Sequence, residues 1–160
     1  LRKIRLVENI SIDYLKYKDF WEYFLKSDQL CISPSDVGFH NLLKVKDGLF
    51  FFDFEFSGID DPCKLIVDLM IQPDYSIPFK YIHLIKDFID IFSEKIPSFN
   101  LRLKATLELY QIKWYCIIFN PIIKGKIELN KKNLENIFSK SNNYFKKIEK
   151  HKSQLLNKIE

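Results

Sequence analysis

Apolar side chains recur along much of this chain at the three- and four-residue spacing of amphipathic helices. Asp61 followed by Pro62 marks one helix start, because aspartate accepts hydrogen bonds from the first turn and proline suits the first helical position. The last apolar stripe lies on a lysine-rich segment that continues to near the end of the chain. The pattern predicts helices over about 11–27, 62–71, 78–93, 101–119 and from 131 onward.

A β-hairpin is predicted in the middle of the chain, where two short apolar runs flank the Asp47-Gly48 pair. An Asp-Gly pair between apolar runs is a strong hairpin signal. With these two residues as the turn, pairing would continue until Leu42 lies opposite Asp53. Because little other strand content is indicated, we predict a mostly helical α+β fold with a small β-hairpin.

Length and composition limit the class of protein. A chain of 160 residues, 47% of them hydrophobic, can bury one globular core, so we expect a single domain over 1–160 and exclude wholesale disorder. The first residue is Leu1, from which we expect a fragment of a longer chain. No uncharged apolar run approaches the roughly 20 residues that span a bilayer, and no signal-peptide pattern begins the chain. We therefore predict a cytoplasmic protein with no membrane partner.

The three cysteines, Cys31, Cys63 and Cys116, are an odd number and lie far apart in sequence. This spacing favours free buried thiols in a reducing compartment over a disulfide framework or a zinc site.

Charge is distributed unevenly, although the net charge is only +4. Residues 33–74 hold 3 basic and 8 acidic side chains, an excess that either solvated loops or cation binding would explain. Residues 101–160 hold 13 basic and 5 acidic side chains. Lysines on the polar face of a helix are usually solvated, and arginine is scarce, so we predict no nucleic-acid partner. Partner docking through the last helix fits its long apolar stripe better.

Oxygen-bearing side chains are expected to meet at the open end of the predicted hairpin. Asn41 and Asp53 would lie diagonally across the two strands, and diagonal neighbours are about 7–8 Å apart. Asp36 precedes Asn41 by five residues, in the loop that leads into the same end, and would add a second carboxylate. Magnesium prefers such oxygen ligands, with a few from protein and the rest from phosphate and water.

The protein-kinase-like fold uses this same order of a loop acid, an asparagine five residues later and an Asp-Phe pair after a hairpin. The chain resembles the C-terminal lobe of the aminoglycoside phosphotransferase and choline kinase-like family. The resemblance rests on Asp36 with Asn41, on Asp53-Phe54-Glu55, and on Asp61-Pro62 with Asp68-Leu69.

The resemblance implies an ATP- and Mg²⁺-dependent phosphotransferase that acts on a hydroxyl of a small molecule, such as an amino sugar, a sugar or a choline-like alcohol. It implies that Asp36 is the catalytic base, and that Asn41 and Asp53 bind the magnesium that bridges the nucleotide phosphates. Asp68 would brace the catalytic loop. Roles in substrate contact or support are open for three further side chains: His40, Glu55 and Asp60.

Two departures from the family pattern matter. Pro34 and Ser35 stand where the family usually has His-Gly before the catalytic aspartate, so another residue, with His40 as a candidate, must support the loop. No glycine precedes Gly38, so a glycine-rich phosphate-covering loop and a P-loop are both missing. We expect the N-terminal lobe, an obligatory partner in cis, to be absent from this chain. The alternative is a catalytically inactive kinase-like binding or regulatory module.

Overall fold

The computed structural model describes residues 23–74 and 76–159, and these form an α+β fold, which confirms the coarse class predicted. The helices are α1 (Pro62–Ile71), α2 (Lys86–Lys95), α3 (Phe99–Ile123) and α4 (Lys131–Ile159). The strands are β1 (Cys31–Ser33), β2 (Leu42–Val45), β3 (Gly48–Phe51) and β4 (Gly58–Asp60). Short 3₁₀ segments cover Ser27–Gln29, Phe39–Asn41 and Phe79–Ile85.

Helix α1 has the bounds that the sequence predicts. Its N-cap is Asp61, whose Oδ1 accepts a hydrogen bond of 2.8 Å from the Cys63 backbone N–H, and Pro62 opens the first turn. Its apolar side chains, Ile66 and Ile71 among them, are buried against α3. The local capping signal and the tertiary burial therefore agree, which is why this helix was predictable.

The core lies between the helices. Helix α3 is its long central member and packs against both α1 and α4. The core includes Ile66 from α1, Leu103, Leu107 and Trp114 from α3, and Ile148 from α4. Burial of apolar surface is worth about 25 cal/mol per Å², so this three-helix contact stabilises the fold.

Two predicted helices differ from the structure in their bounds. The segment predicted as one helix over 78–93 is a 3₁₀ stretch followed by α2, and within this stretch the His83 Nδ1 lies 2.9 Å from the Lys80 carbonyl oxygen. Helix α3 extends past both predicted ends and includes Pro121 in its last turn. The last helix begins at residue 131 as predicted.

The helix predicted over 11–27 lies mostly outside the described residues, and its last part is wrong. Residues 23–26 are not helical, and Ser27–Gln29 is a single 3₁₀ turn. The buried Gln29 side chain closes that turn, since its Oε1 accepts from the Lys26 N–H at 2.9 Å and its Nε2 donates to the Lys95 carbonyl at 2.6 Å. Satisfying this amide favours the turn over a continued helix.

The hairpin forms, but its register differs from the prediction. Val45 pairs with Gly48 and Leu42 pairs with Phe51, so the turn is Lys46-Asp47 and Leu42 does not lie opposite Asp53. Each residue of β2 pairs with a residue two positions earlier in the chain than predicted. A shift of two leaves every side chain on its predicted face. The apolar pattern could not distinguish the two registers for that reason.

A second ladder pairs β1 with β4, with Cys31 opposite Asp60 and Ser33 opposite Gly58. The sequence predicts only a turn at Gly58, because a three-residue strand carries too short a pattern to recognise. This ladder brings the two ends of the segment 33–58 together, so the hairpin projects from it as a loop. Apolar side chains on this projection are exposed: Leu43, Leu49, Phe50, Phe51, Phe52, Phe54 and Phe56.

All three cysteines are free thiols, of which Cys63 is buried and Cys116 is exposed. Among the helices of the described residues, none combines the length and apolarity needed to cross a membrane.

The ion pair between Arg102 of α3 and Asp61, the N-cap of α1, links the two helices. Arg102 Nε lies 2.7 Å from Asp61 Oδ2, and both side chains are mostly buried. We expect Arg102→Met to lower the free energy of unfolding by about 3 kcal/mol, because it leaves a shielded carboxylate without its cation. Urea unfolding would measure this.

The control for Arg102→Met is Lys86→Met, which removes an exposed lysine paired with Asp90 on α2. Solvent screens that pair, so its loss should change stability far less. Equal effects of the two substitutions would contradict a structural role for the Asp61–Arg102 pair.

Candidate active site

Asp36 lies in a tight loop that follows β1. Ser35 has a φ of 66°, a left-handed conformation that is uncommon for a residue other than glycine. The loop is tied internally, since the Ser35 N–H donates to the Ser33 Oγ at 3.0 Å and the Asp36 N–H donates to the Pro34 carbonyl at 2.8 Å. The Asp36 side chain is about half exposed, at 51%. This loop therefore presents a carboxylate to solvent from a constrained backbone.

His40 lies against this carboxylate, with its Nε2 3.3 Å from Asp36 Oδ2. Gly38 makes room for the ring, because a Cβ at that position would lie 2.6 Å from His40 atoms. The structure thus brings together Asp36 and the histidine that the sequence offers as loop support.

Asn41 joins the loop to the hairpin. Its buried side chain donates from Nδ2 to the Asp36 carbonyl at 3.0 Å. Its backbone carbonyl accepts from the Phe52 N–H at 3.1 Å, one residue before Asp53. One asparagine therefore links the backbone of the predicted base to the chain that carries the predicted metal ligand.

Asp53 leaves the hairpin in a left-handed conformation, with a φ of 64°. Its side chain is exposed and, within the described part of the chain, has no hydrogen bond or ion pair. Glu55 follows in an exposed turn that the Ser57 N–H closes on the Phe54 carbonyl at 2.9 Å. Non-glycine residues in this region are strained by about 1–3 kcal/mol, and such strain clusters at functional sites.

The donor set fits magnesium only in part. Within residues 23–74 and 76–159, no three His, Cys, Asp or Glu side chains are grouped so as to hold a metal ion. Magnesium needs fewer protein ligands, since it keeps waters and takes phosphate oxygens around one or two carboxylates. Asp53 supplies one carboxylate, and Asn41, whose Nδ2 is engaged, has its Oδ1 as the remaining acceptor. Asp53 therefore offers one exposed carboxylate, and any second protein oxygen would have to come from Asn41, whose side chain is buried.

Asp60 belongs to a contact that sequence reasoning missed. Its carboxylate forms an ion pair with Lys64 of α1, and Lys64 Nζ also donates to Ser35 Oγ at 3.0 Å. The available signal was the four-residue spacing of Asp60 and Lys64 at a helix start. Asp60 is therefore tied to the Asp36 loop through Lys64.

Asp68, the predicted brace of the catalytic loop, contacts helix α3. It is buried on the inner side of α1, and its Oδ1 accepts from Lys113 of α3 at 3.3 Å. Desolvation by burial raises the pKa of this carboxyl, and the Lys113 cation opposes the rise. The residue one turn earlier in α1, Lys64, reaches the loop instead.

The raised pKa of Asp68 predicts a specific pH dependence of stability. The folded state holds the Asp68 proton more tightly than the unfolded state, whose ordinary pKa is 3.8. This contribution is complete below about pH 4 and is lost as the pH rises from there through the raised folded pKa. In Asp68→Asn that loss is absent, so the variant should gain stability relative to the parent protein as the pH rises.

Urea unfolding of both proteins between pH 4 and 8 would measure the difference. Asp74→Asn, at an exposed carboxylate paired with Lys140, controls for the loss of one negative charge. Parallel stability curves for the parent and Asp68→Asn would contradict the prediction.

Comparison of the chain with protein-family models, with curated proteins and with solved structures gave no match in any of the three.

Proposed function

We propose that this chain is the C-terminal lobe of a protein-kinase-like enzyme that transfers a phosphoryl group from ATP to a hydroxyl of a small molecule with the help of Mg²⁺. The observation that carries the proposal is the pair of hydrogen bonds at Asn41. They connect the loop of Asp36 to the chain entering Asp53 at 3.0 and 3.1 Å, so three residues separated in sequence occupy one end of the hairpin.

The proposed roles follow from side-chain chemistry. Asp36 accepts the proton of the acceptor hydroxyl as the new oxygen–phosphorus bond forms and the bond to the ADP leaving group breaks. His40 orients the Asp36 carboxylate through its Nε2. Asp53 and the Asn41 Oδ1 would hold magnesium, which when bound neutralises charge on the phosphate oxygens. Catalysis of this kind rests on positioning and charge, and needs no covalent step on the protein.

Backbone strain supports the proposal independently. Among the described residues, three non-glycine positions have positive φ: Ser35, Asp53 and Ser98. Ser35 directly precedes the proposed base and Asp53 is the proposed ligand, so two of the three lie in the site. Strain of this kind persists only where surrounding contacts over-determine it, and an active site is a common reason for it.

The exposed apolar surface fits a lobe that is covered on one side. Leu43 and Phe50, which lie opposite each other across the hairpin and share one of its faces, are 56% and 60% exposed. Contiguous exposed apolar groups of this kind usually mark a binding or packing surface. We propose that the N-terminal lobe, which would supply the remaining phosphate contacts, is the partner in cis on this side.

Metal binding is the first test, and Mn²⁺ in place of Mg²⁺ makes it visible. In amide NMR spectra, Mn²⁺ with a non-hydrolysable ATP analogue should broaden the signals around Asn41 and Asp53. Asp53→Asn should weaken this binding by roughly tenfold or more, because it removes the only proposed carboxylate ligand. Asp47→Asn, at the turn end of the same hairpin, is the matched control and should leave the broadening in place.

Phosphoryl transfer is the second test, measured as ADP release in the full natural protein with amino sugars, sugars and choline-like alcohols as acceptors. Asp36→Asn should lower kcat by roughly a hundredfold or more while nucleotide binding persists, because only the proton acceptor is lost. Asp28→Asn, outside the site, is the control. Full activity of Asp36→Asn would refute the assignment of the base.

The second candidate function is a kinase-like module that binds without catalysis. The observation that favours it is Pro34 and Ser35 in place of the usual His-Gly of the loop. Broadening by Mn²⁺ and nucleotide without transfer to any acceptor would support this module over the enzyme.

A further inference from the structure

The Asp36 loop depends on an unfavourable backbone conformation one residue earlier. Ser35 has a φ of 66°, and the turn at this residue lets the Asp36 N–H donate to the Pro34 carbonyl at 2.8 Å. This conformation costs a serine free energy, which surrounding contacts must offset. The contacts at Ser35 therefore bear on where the proposed base points.

Lys64 makes one of these contacts, beside the hydrogen bond from the Ser35 N–H to Ser33 Oγ. Its Nζ donates to Ser35 Oγ at 3.0 Å and forms an ion pair with the Asp60 carboxylate. Both charged side chains are largely shielded, with exposures of 17% for Lys64 and 25% for Asp60. Charge-assisted hydrogen bonds in such surroundings are stronger than neutral ones.

Asp60 is itself fixed on two sides. It pairs with Cys31 across the β1–β4 ladder, and its Oδ1 accepts from the Asp61 N–H at 3.0 Å. Lys64 is therefore held by a rigid carboxylate, and its ammonium group reaches the loop from a fixed origin in α1.

The position of Lys64 in its helix also needs an explanation. It lies in the first turn of α1, where the positive end of the helix dipole disfavours a cation. The ion pair with Asp60 four residues earlier and the contact with Ser35 offset this unfavourable position.

We propose that Lys64 is a positioning residue for the catalytic loop: through Ser35 it holds the left-handed backbone that presents Asp36. It supports the loop from the backbone side, beside His40, which contacts the Asp36 carboxylate itself. The inference rests on the proposed function for its catalytic consequence, but the conformational part stands on the Lys64–Ser35 contact alone.

The experiment compares Lys64→Met in two backgrounds. With Ser35 present, Lys64→Met should lower kcat by roughly tenfold or more with little change in the KM for nucleotide, because the base is misplaced while the metal ligands are not. In the Ser35→Gly background the same substitution should change kcat less than about twofold, since glycine adopts positive φ without support. Lys86→Met, which breaks an exposed lysine–aspartate pair of the same spacing, should leave kcat unchanged.

A spectroscopic readout makes the test independent of turnover. In the parent protein, Ser35 should give the strong intraresidue amide–Hα cross-peak that marks positive φ, and Lys64→Met should weaken it. An unchanged cross-peak would overturn the proposal. A kcat loss that persists in the Ser35→Gly background would also overturn it, because Lys64 would then act on the substrate directly.

The two proposals fail differently. If the parent protein neither transfers phosphate nor shows Mn²⁺ broadening near Asp53, the transferase is wrong, and a weakened Ser35 cross-peak in Lys64→Met still establishes the role of Lys64 in the loop. If transfer occurs and Lys64→Met changes neither kcat nor the cross-peak, only the role of Lys64 is wrong.

Discussion

The double use of Asp61 is the constraint on which the remaining structure depends. One carboxylate oxygen caps α1 at the Cys63 N–H, and the other pairs with Arg102 of α3. The residue thereby determines where β4 ends, where α1 begins and how α1 lies against the central helix. Because β4 closes the ladder with β1, the same residue determines the base from which the loop and the hairpin project. The candidate site is thus built outward from a packed helical core.

Within the projecting loop and hairpin, hydrogen bonds to backbone groups fix the chain more than side-chain packing does. Asn41 satisfies the Asp36 carbonyl and accepts from Phe52, and the surrounding apolar side chains are largely exposed. Polar satisfaction of a buried amide is specific in direction, whereas apolar contact is not. A directional network of this kind suits a site in which a few oxygens must have fixed orientations.

Much of the fold follows from local sequence, and the differences have physical causes. Helix α1 was predictable because Asp61-Pro62 and the apolar spacing agree, and the hairpin was predictable because of Asp47-Gly48. The register of the hairpin was not predictable, because a shift of two residues leaves each side chain on the same face of the hairpin. The long-range contacts of the site, Lys64 with Ser35 above all, depend on the β1–β4 ladder, and a three-residue strand leaves too little pattern to foresee it. The contact of Asp68 with Lys113 was not foreseen, because a resemblance in order does not specify which helix face meets the loop.

Among residues 23–74 and 76–159, β2 and β3 form a two-stranded sheet, and no third strand there pairs with the hairpin. An isolated two-stranded hairpin is marginal in water, so its opening is expected among the least costly local unfolding events of this fold. An ion shared by Asn41 and Asp53 would join the two legs of that hairpin at their open end. Binding of the ion and closure of the hairpin would then be thermodynamically linked, so that each would favour the other.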